Sequence, residues 1–392
     1  MADPTRNERG EAHLERNTRL LRLAVFAAAF DTFLLAPMLV SIAMDTGTTL
    51  TAAAGIASAY FLAYGVMQPV WSVASDRLGR GAVVRLGLLG AAVTGILCAA
   101  ASSLGPLVLG RLLAGGAVAA VMPTSITYVG DTFPAERRQG AIADLNAAYA
   151  AGSALGTLAG GAAAAYASWR VGFLGSAVLA GGLAVVLARL PHCPGAGRGG
   201  LPQRIRTVLG TPWALAVIGL ALVEGAALLG FLGFLAPALV TAGHRPAIAG
   251  LVVATYGGAV LLWTRVVKQW VGRLPPAALI AIGATMLVAG YGSAALSPGV
   301  VGVLAASILV GGAMAFMHSM LQVWATEVVP AARALMVALF VGALFLGSAT
   351  AMRVFAPLAG HGAFRQLFAV PALLAVPMGL AAVVGRHRTS RR

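Results

Sequence analysis

Long apolar runs alternate with short polar interruptions along the whole chain. In the first half the runs are Leu20–Ala43, Ala52–Ala74, Ala82–Ala101, Leu107–Val129, Ala141–Ala165 and Val171–Leu190. In the second half they are Trp213–Val240, Ala249–Val267, Ala277–Leu296, Val300–Val323, Ala334–Phe355 and Leu367–Val384. Each is close to the ~20 residues with which a helix crosses the hydrocarbon core of a bilayer. The pattern predicts an all-α membrane protein of about twelve transmembrane helices. Residues 191–210 interrupt it with Gly, Pro and Arg in no period and read as a linker. The expected organisation is a six-helix bundle over 1–190, a cytoplasmic linker over 191–210 and a second six-helix bundle over 211–392.

Composition agrees. The chain is 59% hydrophobic and only 10% charged, with a mean hydropathy of +0.88. A soluble domain carries roughly 25% charged residues, so this chain lacks the polar surface to live in water. The net charge of +15 could suggest nucleic acid, but the arginines do not gather on one face. They sit between apolar runs, as topology requires. One set of connections and the two tails hold Arg77, Arg80, Arg85, Arg137, Arg138, Arg198, Arg204, Arg206, Arg265, Lys268, Arg273, Arg333, Arg386, Arg388, Arg391 and Arg392 among others, whereas the opposite connections hold only Arg170, Arg245 and Arg365. The positive-inside rule then places both termini in the cytoplasm. Cys98 lies in an apolar run and Cys193 in the linker. No metal-ligand spacing, phosphate loop or nucleophile elbow is present, so no cofactor and no enzymatic chemistry are expected. The hydrophilic start, Met1–Asn17, does not read as a signal peptide.

The halves echo each other. Asp131-Thr132-Phe133-Pro134-Ala135-Glu136-Arg137 matches Glu327-Val328-Val329-Pro330-Ala331-Ala332-Arg333; Phe33-Leu34-Leu35-Ala36-Pro37 matches Gly233-Phe234-Leu235-Ala236-Pro237; Gly79-Arg80 matches Gly272-Arg273. Three echoes in the same order, each separated by nearly half the chain, indicate a duplicated six-helix unit. The unit would repeat about an axis along the membrane normal.

Few ionisable residues stand inside the runs. Asp31 lies midway along the first, where an ionised carboxylate costs ~2.5–3.5 kcal/mol on insertion scales. It must face water, pair with a cation or hold a proton. Arg111 in the fourth run sits at similar depth, within reach of it. The pair reads either as a proton site or as a static structural ion pair. Glu224 lies mid-run in the seventh helix, a second carboxyl for a proton or a cationic substrate, or a group bonded between helices. His318 in the tenth run reads first as a satisfied packing residue. Arg353, near the outer end of the eleventh, either snorkels or joins the site. Gly152, Gly156 and Gly160 recur every four residues and predict close helix packing. Tyr60, Tyr64, Met122, Tyr149, Phe231, Phe234, Tyr256, Phe316 and Trp324 could line a cavity or simply pack.

The charged stretch Ser72-Val73-Ala74-Ser75-Asp76-Arg77-Leu78-Gly79-Arg80 resembles the DRxGR loop between the second and third helices of the major facilitator superfamily, with Ser72 where that family usually has Gly. Arg111 with Ala114-Gly115 resembles the family's RxxQG element, Gly152 to Gly161 its GxxxGPxxGG antiporter element with Thr157 in place of proline, and Trp169-Arg170-Val171-Gly172-Phe173 its WRxxF turn. The resemblance implies two pseudo-symmetric six-helix bundles working by alternating access as a monomer. It implies proton-coupled efflux of a small organic compound across a bacterial inner membrane, and symport or import of a small metabolite on the same fold stays open. The expected partners are substrate, protons and bilayer, with no nucleic acid. The resemblance also implies a cytoplasmic gate of Asp76, Arg77, Gly79, Arg80, Asp131, Glu136 and Arg137. There Asp76 would face the start of the eleventh helix near Arg333, and Arg77 and Arg80 would pair with Asp131 or Glu136.

Overall fold

The computed structural model describes residues 4–190 and 201–389, and the side chains of these residues except 4–13, 135, 136, 189 and 201. Cys193, Arg198, Arg391 and Arg392 lie outside the described residues, as do the side chains of Arg6, Arg9, Glu136 and Arg189. Among the described residues eleven helical segments are long and apolar enough to cross a membrane. In chain order, with one further helix included, the segments are α1 Leu14–Asp45, α2 Leu50–Leu78, α3 Arg80–Ala100, α4 Leu104–Thr132, α5 Ala135–Tyr166, α6 Trp169–Val186, α7 Pro212–Thr241, α8 Pro246–Trp270, α9 Pro276–Leu296, α10 Val300–Val328, α11 Pro330–Val354 and α12 Phe364–Thr389. The one included is α5. Its expected run, Ala141–Ala165, is rich in alanine and glycine, which are only weakly apolar. The remainder of the expected linker forms a short helix, Leu201–Leu209.

The packing has the symmetry that the echoes require. Within the first half α1 packs on α5, α2 on α4 and α3 on α6; within the second, α7 packs on α11, α8 on α10 and α9 on α12. Between the halves, α2 meets α11 and α5 meets α8. Each of these contacts maps onto its counterpart when six is added to the helix number. Apolar burial cannot drive such contacts in lipid, so close packing at small residues must. Gly65 meets Gly342 across the α2–α11 contact, and Gly257 meets Ala150 and Ala154 across the α5–α8 contact.

The repeated sequence signals produce repeated backbone. Pro37 lacks an N–H and its ring displaces the carbonyl of Phe33, so α1 breaks into a 3-10 turn at Ala36–Met38. Pro237 does the same in α7, with a 3-10 turn at Leu232–Phe234. Gly79 and Gly272, at φ 89° and 87°, occupy backbone that side chains avoid. Each ends a helix on the same face of the bundle. The charged stretch is therefore no extended turn: α2 continues through Leu78, and Gly79 alone reverses the chain.

Candidate functional site

Asp31 sits six residues before Pro37 on α1. Arg111, on α4, donates from one guanidinium nitrogen to both Asp31 carboxylate oxygens at 3.0 Å and from the other to the Asp31 backbone carbonyl at 3.2 Å. The Ser176 hydroxyl on α6 adds a donor at 3.1 Å. The guanidinium lies 4.2 Å from the Tyr60 ring centroid and 5.4 Å from that of Phe173. Tyr60 is held in turn by a 2.8 Å hydrogen bond between its hydroxyl and Thr32. Side-chain exposure is 0% for Arg111 and 2% for Asp31. Two charges removed from water this completely persist only when their lone pairs and protons are met, and here only Arg111 Nε lacks a partner.

A narrow cavity separates the two halves beside this pair. Its unfilled space, including the part open to solvent, is about 650 Å³. The first half contributes Thr32, Phe33, Tyr60, Arg111 and Thr157, and the second Leu229, Leu232, Val253, Tyr256 and Met352, among others. Asp31 is not among the lining residues; Arg111 stands between it and the cavity. Aromatic rings of the two halves meet at and near the cavity wall. Phe33 stacks on Tyr256 at 5.9 Å and meets Tyr149 edge-on at 6.0 Å, while Tyr64 stacks on Phe345 at 3.8 Å. Of the aromatic and methionine candidates, Tyr60 and Tyr256 line this space. Phe231, Phe234 and Phe316 are packed in the second half, and Trp324 faces elsewhere.

A second pair joins the counterpart helices. Glu224 on α7 lies 3.2 Å from Nδ1 of His318 on α10. The carboxylate is wholly buried and its Oε2 lacks a partner, while the imidazole is 10% exposed. His318 is therefore more than the packing residue its isolation suggested. Both residues border π turns, Ala226–Gly230 and Met314–His318, a feature that often marks functional sites. A π turn strips carbonyls of their usual partners, and side chains from other helices meet two of those around α7. The Ser348 hydroxyl donates to the Gly225 carbonyl at 2.9 Å, and the Tyr291 hydroxyl to the Leu228 carbonyl at 3.2 Å.

The third constellation lies on the face that carries the termini. Arg80, the first residue of α3, turns back to Asp76 at 2.7 Å and to Asp131 on α4 at 3.1 Å, and also donates to Ser75. Arg77 and Arg137 are exposed. Glu136 was expected here as a partner; its side chain lies outside the described residues. The cluster ties α2, α3 and α4 of one half to each other. Its reach toward the second half runs through the Leu201–Leu209 helix, whose Arg204 lies 4.0 Å from Asp76 and which packs on the first turn of α11. Asp76 was expected to face the start of α11; the described ion pairs of Asp76 are with Arg80 and Arg204.

Two further expectations become more specific. Arg353 is exposed at the end of α11, outside the cavity, which favours the snorkelling alternative. Gly152, Gly156 and Gly160 pack against the carbonyls of Phe26, Phe30 and Leu34 on α1, within one half rather than between halves. The neighbouring Gly161 faces α8 instead, against Gly250. Ser176, Ser348 and Tyr291 were missed. Each is a polar atom in an apolar run, a signal present in the sequence but shared with many residues that only bond their own helix.

Comparison with known proteins adds three findings. The family model described as Major Facilitator Superfamily matches residues 21–352. Curated relatives include a triacylglyceride transporter of Mycolicibacterium smegmatis, 33% identical over 141 residues, covering 35% of this chain and 25% of the relative. The Efflux pump dotC of Dothistroma septosporum is 29% identical over 150 residues, covering 38% and 26%. The Puromycin resistance protein pur8 of Streptomyces alboniger is 33% identical over 132 residues, covering 33% and 26%. The matched part thus spans about a quarter of the length of these relatives. Among solved structures, a bacterial homolog of the human lysosomal transporter Spinster, inward-facing and unoccupied, superposes with a TM-score of 0.76 at 16% identity over 96% of this chain and 97% of its own. A D-xylose-proton symporter gives 0.78 at 17% identity over 93% and 96%. These likenesses establish the fold.

Proposed function

The chain belongs to the Major Facilitator Superfamily, and from that premise we propose that it exports a small amphiphilic organic compound in exchange for protons by alternating access. The proposed setting is a bacterial inner membrane with both termini in the cytoplasm. The moving bodies are residues 1–190 and 211–392, joined by 191–210, and the chain works as a monomer. The observation that carries the reading is the placement of Asp31 behind Arg111 at the wall of the cavity between the halves.

Arg111 keeps its charge under all working conditions, so the proton must be taken by Asp31. While Arg111 holds both carboxylate oxygens of Asp31, protonation would strand a buried cation, so that contact and the proton exclude each other. A substrate that fills the cavity while Arg111 stays on Asp31 would bar the proton. Proton entry at Asp31 would free Arg111 to swing into the cavity and displace the substrate. The mostly apolar and aromatic lining supports an amphiphilic cargo. The relatives bearing the printed names efflux pump and puromycin resistance protein support the outward direction. Glu224 and His318 supply a second titratable pair in the other half. The Arg80–Asp76–Asp131 cluster, with Arg204, steadies the cytoplasmic end in the state where that end is closed.

One residue favours the alternative of inward symport. Thr157 replaces the antiporter element's proline, and its hydroxyl donates to the Phe33 carbonyl at the α1 break at 3.4 Å. Proteoliposomes with an imposed pH gradient, loaded with a panel of amphiphilic compounds and read by lumenal pH, test the proposal. Substrate-driven proton movement that Asp31→Asn abolishes is the expected result. Proton-independent flux with any compound overturns the coupling, and uptake along the proton gradient in right-side-out vesicles overturns the direction.

A further inference from the structure

α4 is not one continuous helix. Its regular turns stop at Val118 and resume at Val121, just ahead of Pro123. A proline has no N–H, so the carbonyl four residues earlier, that of Ala119, loses its helical donor. The break frees a second carbonyl. The Ala120 N–H turns to the Ala117 carbonyl at 3.1 Å, three residues back, and leaves that of Gly116. Both freed groups lie inside a membrane span, where lipid offers no partner. α2 serves both. The Trp71 indole N–H donates to the Gly116 carbonyl at 2.6 Å, and the Gln68 amide donates to the Ala119 carbonyl at 3.4 Å. The two donors stand three residues apart, hence on one face of α2. Gln68 is 2% exposed, and an amide so deep in an apolar run is costly unless it is bonded.

The repeat shows that these three residues belong together. With Asp131 set on Glu327 and Gly79 on Gly272, Pro123 falls on Ser319, Gln68 on Leu261 and Trp71 on Thr264. The second half thus lacks the proline and both donors. Thr264 bonds the Val260 carbonyl of its own helix, and Trp263, one position away, has a buried Nε1 without a partner. Where α4 has its proline break, α10 has the π turn Met314–His318. The break also divides the two charged sites that α4 carries. Arg111, bound to Asp31, lies eight residues before Ala119, and Asp131, bound to Arg80, lies twelve after it. α2 spans the same two sites: Tyr60 lies against the Arg111 guanidinium, and Asp76 holds Arg80. An unbonded break would let the outer segment of α4 turn without the inner one. A break fastened to α2 at two points passes the turn on.

We propose that Gln68 and Trp71 are positioning residues that fix the angle of α4 at its break and so carry the proton's arrival at Asp31 to the cytoplasmic Arg80–Asp131 contact. The inference rests on the proposed role of Asp31, around which the titratable side chains are Arg111 on α4, Tyr60 on α2 and Cys98 on α3. Two spin-label pairs in the full-length protein in nanodiscs read the angle and its consequence separately. Gly105 and Gly130 stand near the two ends of α4, where an added Cβ meets nothing within 4 Å, roughly 37 Å apart along a helix. Gly130 with Arg273, exposed on the second half, reads the cytoplasmic opening. Labels enter through cysteine substitutions in a Cys193→Ser background, since Cys98 is buried.

Asp31→Asn imitates the protonated carboxyl and should shift the Gly130–Arg273 distance in the labelled parent. Acidification through the carboxylate range should shift it the same way. Gln68→Leu with Trp71→Phe should broaden the Gly105–Gly130 distribution and abolish the shift of the second pair under both triggers. Trp71→Phe alone, which keeps the ring, should show both effects in smaller measure. Pro123→Ala gives the Ala119 carbonyl an N–H again, so it should narrow the distribution in a Gln68→Leu background, a rescue that loss of packing alone would not show. A first-pair distribution as narrow as the parent's without the two donors overturns the proposal. So does a second pair that still follows either trigger in their absence, or a Pro123→Ala that rescues nothing. If neither trigger moves the second pair in the parent, the proposed role of Asp31 fails and the coupling with it, while the width of the first pair still decides whether the donors hold the break.

Discussion

The Asp31–Arg111 and Glu224–His318 pairs join the same two helices of their respective halves, the first and the fourth, yet they are built to different ends. Asp31 stands six residues before its helix-breaking proline and Glu224 thirteen before the equivalent one, so the second pair lies about 10 Å nearer the face that carries the termini. The first pair couples a carboxylate to a permanent cation on regular helix, with Ser176 completing the shell. The second couples a carboxylate to a base that can lose its proton, between two π turns, with one carboxylate oxygen unmet. Duplication supplied one helix pair twice, and the chemistry then diverged. An ion pair met at both carboxylate oxygens resists change until something displaces the arginine, whereas a half-met acid–base pair can respond to a proton alone.

The largest effect that could break this contrast is expected at Asp31. Asp31→Asn leaves Arg111 charged and buried without a counterion, which costs ~3–5 kcal/mol. The single variant should therefore unfold at a markedly lower temperature as well as lose proton-coupled flux. Asp31→Asn combined with Arg111→Gln removes both charges and should recover most of the stability, since neutral replacements for buried pairs are often well tolerated. Flux should stay absent in the double variant. Thermal unfolding in detergent with parallel proteoliposome assays separates the two roles. A double variant that transports with proton coupling would remove the pair from the mechanism.

At the second pair a smaller and differently shaped effect is expected. His318→Leu leaves Glu224 buried without any described hydrogen-bond partner and should cost ~1–3 kcal/mol. Glu224→Gln keeps a hydrogen-bonding group beside His318 and removes the charge, so its stability should stay within ~1 kcal/mol of wild type. Both should flatten the dependence of transport on pH while leaving flux at a fixed favourable pH largely intact. Should Glu224→Gln abolish flux as Asp31→Asn does, the two pairs would be equal partners and the contrast would fail.

Most of the architecture was legible in the chain because its causes are local. A run of about twenty apolar residues becomes a span, a proline breaks a helix, and a glycine with positive φ ends one, so two of the three echoes became repeated backbone features. The Asp31–Arg111 pair was legible for a related reason: only one cation stood at the right depth in the first bundle. His318 as partner of Glu224 was not, because a pairing between α7 and α10 depends on helix rotation, and the π turns beside both residues change that rotation without any composition signal. The gate residues show the same limit. Arg80 and Asp131 were named together, but the short helix that brings Arg204 to Asp76 arose from a stretch that reads as irregular. Gly152, Gly156 and Gly160 announced close packing without saying that α1, rather than the other half, would fill their face.

The smallest effect tests whether the π turn of α7 is held in place or merely tolerated. Ser348 Oγ lies 2.9 Å from the Gly225 carbonyl and also 2.9 Å from the Leu344 carbonyl of its own helix, so one hydroxyl proton serves two acceptors. The Tyr291 hydroxyl has one described acceptor, the Leu228 carbonyl. Tyr291→Phe should therefore cost about 1 kcal/mol, the net worth of one buried hydrogen bond, and Ser348→Ala somewhat less. If the π turn depends on these donors, removing them lets α7 relax toward regular helix and rotates Glu224 relative to His318. The double variant would then reproduce the flattened pH profile of Glu224→Gln without touching either titratable group. An unaltered pH profile in a folded double variant would show that packing at Gly225 against Leu344, rather than the hydroxyls, fixes the turn, and that the second pair owes its geometry to helix contact alone.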